Sequence, residues 1–191
     1  MSQDILNIAH LCPSTAALGP WNRFAIWVQG CPFTCPGCLA PEWIPFKVAN
    51  TISVESLAEA IIRQETIEGI TLSGGEPLMQ AGRLATLLRL VRAVRPELTV
   101  IVFSGFVREQ LVWEEASALL SYVDLLIDGQ YVNKLNDGRG LRGSSNQQFH
   151  FLTDRLLPYR ETILNNRPGM EFHFLNDGVL SAGIPPPNFS W

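Results

Sequence analysis

The sequence predicts an α/β fold with a mainly parallel sheet in a single domain, and three observations lead there. Apolar extended runs alternate with amphipathic segments of helix length, as βαβ units do. The unusual residues fall just after the C-terminal ends of the extended runs. The chain has 191 residues, enough for one domain with a sizeable core and too few for two comfortable ones. Its composition, 47% apolar and 17% charged, is that of a folding chain. No internal repeat or low-complexity tract interrupts the pattern.

RFAIWVQG (23–30) reads as a buried strand running straight into a cysteine loop. SVESLAEAIIRQ (53–64) opens with Ser53, an N-cap candidate, and repeats apolar residues at helical spacing. EGITLSGG (68–75) is a second strand ending in glycines, and AGRLATLLRLVRAVRPE (81–97) is a helix stopped by Pro96. LTVIVFSG (98–105) is a third strand, VREQLVWEEASALLSY (107–122) a helix, DLLIDGQY (124–131) a fourth strand and QFHFLTDR (148–155) a fifth. MEFHFLNDGV (170–179) reads as one more strand and turn. IPPPNFSW (184–191) is a proline-rich tail, excluded from regular helix and inner strand and expected to cover a sheet edge.

The net charge of −4 argues against nonspecific nucleic-acid binding, and no apolar run is long enough to cross a bilayer. The N-terminal segment has an acidic residue near its start and no basic region, a poor secretory signal. The expected compartment is therefore cytoplasmic, where clustered thiols hold metal or do chemistry more often than they form disulfides.

The cysteine loop, SGGEP, SGF and DGQY each follow a strand end. Loops at that edge of a parallel sheet converge above the strands, so these four signals predict one site with the cysteine loop at one side. Cys31, Cys35 and Cys38 are spaced C-x3-C-x2-C. A structural zinc site wants four closed ligands, and no second pair is present; Cys12, His10 or a distant histidine would have to complete it. An iron–sulfur cluster normally takes four thiolates, so three leave one iron open, which suits a catalytic centre. Cys12 itself, beside a proline, reads as a packed small hydrophobe. Gly74 and Gly75 in SGGEPL (73–78) allow close backbone approach, while the plainer reading is a glycine turn before a helix started by Pro77.

C-x3-C-x2-C together with GGE after the second strand resembles the radical S-adenosylmethionine (radical SAM) family. The resemblance implies an incomplete (β/α) barrel and a [4Fe–4S] cluster on Cys31, Cys35 and Cys38, with S-adenosyl-L-methionine (SAM) on the fourth iron. It implies reductive cleavage of SAM to a 5′-deoxyadenosyl radical, with Gly74, Gly75 and Glu76 at the methionine end of SAM. GPWNRFAIWVQGCPFTCPGC (19–38), LLIDGQYV (125–132) and LRGSSNQQ (141–148) are similar to the activating enzymes of anaerobic ribonucleotide reductase, so the resemblance covers roughly residues 19 to 155 of a domain spanning 1–191, with 156–191 an extension. Gly37 precedes the third cysteine as in those activases. The sequence departs from them at Leu39, Ala40 and Pro41, where His-Asn-Pro is usual, and at Trp21, where a second glycine is usual.

The resemblance places further SAM contacts near Ser104. Asp128 could reach the nucleoside, and Asn146 and Gln147 are carried over from the activase group. Arg139 and Arg142 flank glycines in a polar loop that could clamp a carboxylate or be solvated surface. Trp27, Trp43 and Phe46 surround the cysteine loop as shields or as packing. His150 alternates with Phe149 and Phe151 and reads as an edge or satisfied core residue. The implied partners are a protein carrying a glycine to be made radical and an electron donor such as flavodoxin or ferredoxin. The alternatives are radical modification of a peptide or small molecule, and a non-catalytic metal-binding module.

Overall fold

The computed structural model describes residues 4–167, 169–176, 178–187 and 189. The parallel centre of the sheet is built from β2 (Arg23–Val28), β4 (Gly69–Gly74), β5 (Thr99–Ser104) and β6 (Leu125–Asp128), each pairing parallel with the next. β1 (Ile5–Thr15) pairs antiparallel with β2, and β3 (Asn50–Ser53) antiparallel with β1. β7 (Gln148–Phe151) pairs antiparallel with β6. The order is β3-β1-β2-β4-β5-β6-β7, open at β3 and β7 among the described residues.

Alternation along the strands divides the core. Phe24, Ile26, Val28, Ile70, Leu72, Val100, Val102 and Leu126 face α1 (Val54–Ile62), α2 (Ala81–Val94) and α3 (Glu114–Leu120) in the main cluster. Ile101, Leu125 and Ile127 on the opposite face pack with Leu156, Ile163 of α4 (Arg160–Asn165) and Ile184. A third cluster joins Cys12, Ala25 and Trp27 to Leu180 and Ala182 of a separate hairpin, β8 (Met170–Leu175) with β9 (Gly178–Gly183).

Where the strands begin, Arg23 is fully buried and uses all five of its N–H groups. Nε donates to Thr71 Oγ1 at 2.7 Å; Nη1 donates to Thr99 Oγ1 at 3.0 Å and the Pro20 carbonyl at 3.3 Å; Nη2 donates to the Ile70 and Thr99 carbonyls at 2.8 and 3.0 Å. Every acceptor is neutral, so burial pulls its pKa down to about 9, and Asp124 and Glu68 only partly restore the charge. Gly69 leaves room for it: a Cβ there would lie 2.5 Å from Arg23 Cζ. Asp124, also buried, accepts from Val100 N, Arg92 Nη2 and Thr153 Oγ1 and so pins β5, α2 and the end of β7.

Several sequence expectations need correction. β1 and β3 went unrecognised. β1 carries two register shifts against β2, which break the period-two alternation, and β3 is short and polar. The helix expected over 107–122 starts only at Glu114. Asp128 Oδ2 takes the Arg108 N–H at 2.6 Å and Gln110 takes the Val107 N–H, closing a short 3-10 turn, after which Leu111 leaves helical geometry. The sheet is parallel only at its centre, and the strand expected over 148–155 ends at Phe151, before a 3-10 turn over Asp154–Tyr159. The strand and turn expected over 170–179 is the first half of a hairpin. In the tail, residues 188, 190 and 191 lie outside the described residues; Phe189 and residues 184–185 line a cavity. Trp21, where a glycine is usual, holds φ +59 and packs edge-on against Tyr159 with ring centroids 4.3 Å apart.

Arg23→Lys keeps the charge but offers three donors to five acceptors. It is expected to lower stability by about 3–5 kcal/mol in urea unfolding, the cost of leaving buried polar groups unpaired.

Candidate iron–sulfur and cofactor site

The C-terminal ends of β2, β4 and β5 open into a cavity of about 950 Å³ that all three loop cysteines line. Gly30 N–H donates to the Trp43 carbonyl and Cys31 N–H to that of Ile44, both at 2.9 Å, so the loop folds back on the 3-10 turn Pro41–Trp43. Cys38 N–H closes on the Cys35 carbonyl at 3.0 Å. Phe33 packs on Phe106, and Phe106 on Trp113, which anchors the loop to the segment after β5.

Cys31, Cys35 and Cys38 are free and partly exposed. Burial, then Glu76 and the other two cysteines, push the Cys31 thiol up to about 11. Burial, then Cys35 and Glu42, raise Cys38. Three thiols in one loop form a soft donor set of the kind a positively charged iron centre binds as thiolates. Among the described residues no group of three His, Cys, Asp or Glu is gathered around a single-ion position. These thiols fit a [4Fe–4S] cluster, which is wider than one ion.

The SGGEP segment lies directly against this loop. Gly75 N–H donates to the Val28 carbonyl at 2.8 Å and Glu76 N–H to the Gly30 carbonyl at 2.9 Å. Gly74 has φ +106, and a Cβ there would lie 2.5 Å from Val28 N; a Cβ on Gly75 would meet the Gly30 carbonyl oxygen. The glycine pair is therefore required for backbone-to-backbone contact with β2 and the cysteine loop. Glu76 is buried beneath it. Its Oε1 accepts from Leu78 N and Ser104 Oγ, both at 3.0 Å, and its Oε2 from Gly105 N at 2.7 Å. Burial raises the Glu76 carboxyl to about 7 against those bonds, which favour the anion.

Among the residues singled out from sequence, Cys31, Cys35, Cys38, Gly74, Gly75, Glu76 and Ser104 all line the one cavity. Asp128 and Asn146 do not. The Asp128 carboxylate lies on the Leu126 side of β6, bonded to Arg108 N–H, with His150 Nε2 3.0 Å from Oδ2 but outside hydrogen-bond geometry. Asn146 is exposed and donates to the Gln130 carbonyl at 2.8 Å. Gln147 is buried at the cavity wall, where Oε1 accepts from Gly143 N and Ser144 N and Nε2 donates to the Gly129 carbonyl. Arg142 pairs with Asp137, away from the cavity. Cys12 is buried, with Sγ 3.6 Å from His173 Nε2 of β8.

Sequence reasoning reached Tyr131 only as part of the DGQY segment, and missed Asn133 and the reach of the hairpin to the site. Tyr131 Oη donates to Asn133 Oδ1 at 2.9 Å on the wall facing the cysteines, and Asn133 Cβ would be 3.0 Å from a Cβ on Gly37. The only local signal was their place just after a strand end. Residues 178–181 of β9 form another wall, and nothing local in the sequence marks them as reaching the site.

The chain belongs to the 4Fe-4S single cluster domain family, whose model matches residues 17–150, and within it to the activating-protein group. It is 30% identical to an anaerobic ribonucleoside-triphosphate reductase-activating protein of Vibrio cholerae over 156 residues, 78% of this chain and 99% of that protein. The protein of that name from Enterobacteria phage T4 is 29% identical over 153 residues, 78% of this chain and 96% of its own length. A putative glycyl-radical enzyme activating enzyme of Haemophilus influenzae is 31% identical over 96 residues, 49% of this chain and 37% of that protein. The hairpin lies beyond the residues that the family model matches.

Two outcomes check this geometry. Gly75→Ala is expected to destabilise the chain by about 2 kcal/mol or more and to reduce iron uptake on reconstitution, read from thermal unfolding and the iron–sulfur absorbance. In the iron-free chain, unfolding releases the Glu76 proton between its ordinary value of 4.5 and about 7, so stability falls as pH rises through that window. Glu76→Gln should flatten that slope in urea titrations at a series of pH values.

Proposed function

We propose that this chain is a radical SAM activating enzyme that makes a glycyl radical on a partner protein. The observation that carries the reading is that the three free cysteines and the GGE segment line one cavity at the C-terminal edge of the parallel strands. The open sheet is read as the incomplete (β/α) barrel of that family. Bound at Cys31, Cys35 and Cys38, a [4Fe–4S] cluster would pass one electron to SAM, breaking its S–C5′ bond to give methionine and a 5′-deoxyadenosyl radical that takes a hydrogen atom from the partner's glycine.

The chain's own residues prepare that step. Gly74 and Gly75 bring the β4 loop against the cysteine loop, so a ligand at one touches the other. Glu76 ties the β4 loop to Ser104 and Gly105, which fixes the floor of the SAM site. Asp128 and Asn146 act at one remove, holding the 106–108 turn and the 130–147 segment. Trp27 and Trp43, with centroids 5.8 Å apart, line the cavity and limit water near the thiols. Leu39, Ala40 and Pro41 also line it, so the departure from the activase pattern falls on a wall that a substrate meets.

The relatives' names support a ribonucleotide reductase as partner. A flavodoxin or ferredoxin in the cytoplasm would supply the electron. No helix among the described residues is long and apolar enough to cross a membrane. After anaerobic reconstitution with iron and sulfide, reduced protein given SAM is expected to release 5′-deoxyadenosine, detected by mass spectrometry, and Cys35→Ala is expected to release none. A fully loaded cluster that leaves SAM intact, with the partner present, would overturn the reading.

A further inference from the structure

β9 is an edge strand, and its free edge runs along the site. Among the described residues β9 pairs only with β8, and the two form a sheet of their own. β8 lies toward β1, where Glu171 accepts from Thr15 Oγ1 at 2.6 Å and Ala16 N–H at 3.0 Å. β9 lies on the cavity side: Gly178, Val179, Leu180, Ser181 and Gly183 line the cavity, whereas β8 contributes only its ends, Met170 and Leu175. The facing wall is the segment carrying Tyr131, Asn133 and Gln147.

Backbone geometry decides which groups are free. Leu175 and Gly178 face each other across a two-residue loop, so they close the ladder as a hydrogen-bonded pair. Leu180 and Ala182 then also direct their N–H and C=O toward β8, and Val179 and Ser181 direct theirs outward; Gly183, at φ +119, leaves this alternation. Unpaired backbone groups in a row are a template for another extended chain. Two features suit that role. The inward side chains, Leu180 and Ala182, are buried against Trp27 and Cys12 and hold the strand in place. A Cβ on Gly178 would meet nothing within 4 Å, so the sheet face at the loop end of β9 is uncrowded.

We propose that β9 is the docking strand for the protein substrate: an extended glycine-bearing segment of the partner adds to its free edge as a third strand and is thereby carried into the cavity beside the cysteines. A two-stranded ribbon is marginal alone, and a third strand stabilises it. Main-chain bonds recognise an extended backbone whatever its side chains, which suits a segment whose reactive residue, glycine, has none. The proposal rests on the reading that the substrate is a protein and deepens it by naming the surface.

Hydrogen–deuterium exchange on the cluster-loaded protein tests it, with the anaerobic ribonucleotide reductase of the same organism as probe. The expected result is slowed exchange at the Val179 and Ser181 amides when the reductase is added, about tenfold or more for amides drawn into a ladder. Ser181→Pro removes one outward N–H and should raise KM for the reductase at least tenfold, a larger effect than on 5′-deoxyadenosine release from SAM alone; Ser181→Ala, which keeps that N–H, should keep the native KM. If the reductase is activated yet these amides exchange as before, strand addition is overturned and the activase reading stands. If SAM is cleaved but the reductase neither binds nor gains a radical, the proposal falls together with its choice of partner. If SAM is not cleaved at all, the activase reading fails on its own readout.

Discussion

The buried guanidinium of Arg23 is the constraint on which the sheet's geometry depends. A cation with no carboxylate against it survives burial only if each N–H has a partner, and here five acceptors on Pro20, Ile70, Thr71 and Thr99 surround it. Those acceptors belong to β4, β5 and the loop before β2, and Arg23 itself opens β2, so meeting them sets the relative height of β2, β4 and β5. Parallel register follows, with Arg23 beside Gly69 and Gly69 beside Thr99. Gly69 is part of the same arrangement, since a side chain there would occupy the guanidinium's place.

With the strands level at one end, their loops converge at the other. The cysteine loop and the GGE loop touch through main-chain bonds, and Glu76 bridges to the third loop through Ser104 and Gly105. A carboxyl beneath the site is thus used for positioning, with its hydrogen bonds consumed by the loops it joins. Above these loops the surface carries three thiols, with no lysine or arginine among the cavity's described lining residues. That is a place for iron, which binds soft thiolate donors.

The C-terminal hairpin completes the walls that the sheet leaves open. Its buried side chains fix it on β1 and β2, while Phe174 and Val179, a cross-strand pair, remain 85% and 56% exposed. The cavity is therefore bounded by the family core on one side and by a segment outside the matched residues on the other.

The sequence by itself determined the local features. The C-x3-C-x2-C spacing, the glycine pair before Glu76, the buried parallel strands and helices α1 and α2 depend on residue type and short-range periodicity. Tertiary structure decided what depends on distance along the chain. β1 was hidden because two register shifts scramble its alternation, and its pairing is legible only beside β2. The helix expected from Val107 was displaced by a carboxylate twenty residues away, at Asp128. Gly75 reads as a ligand contact in the sequence, and its need for space comes from the Gly30 carbonyl. β9 reaches the cysteines across some 140 residues because hydrophobic burial against Trp27 and Cys12 places it there, and periodicity carries no record of which distant surface a strand will cover.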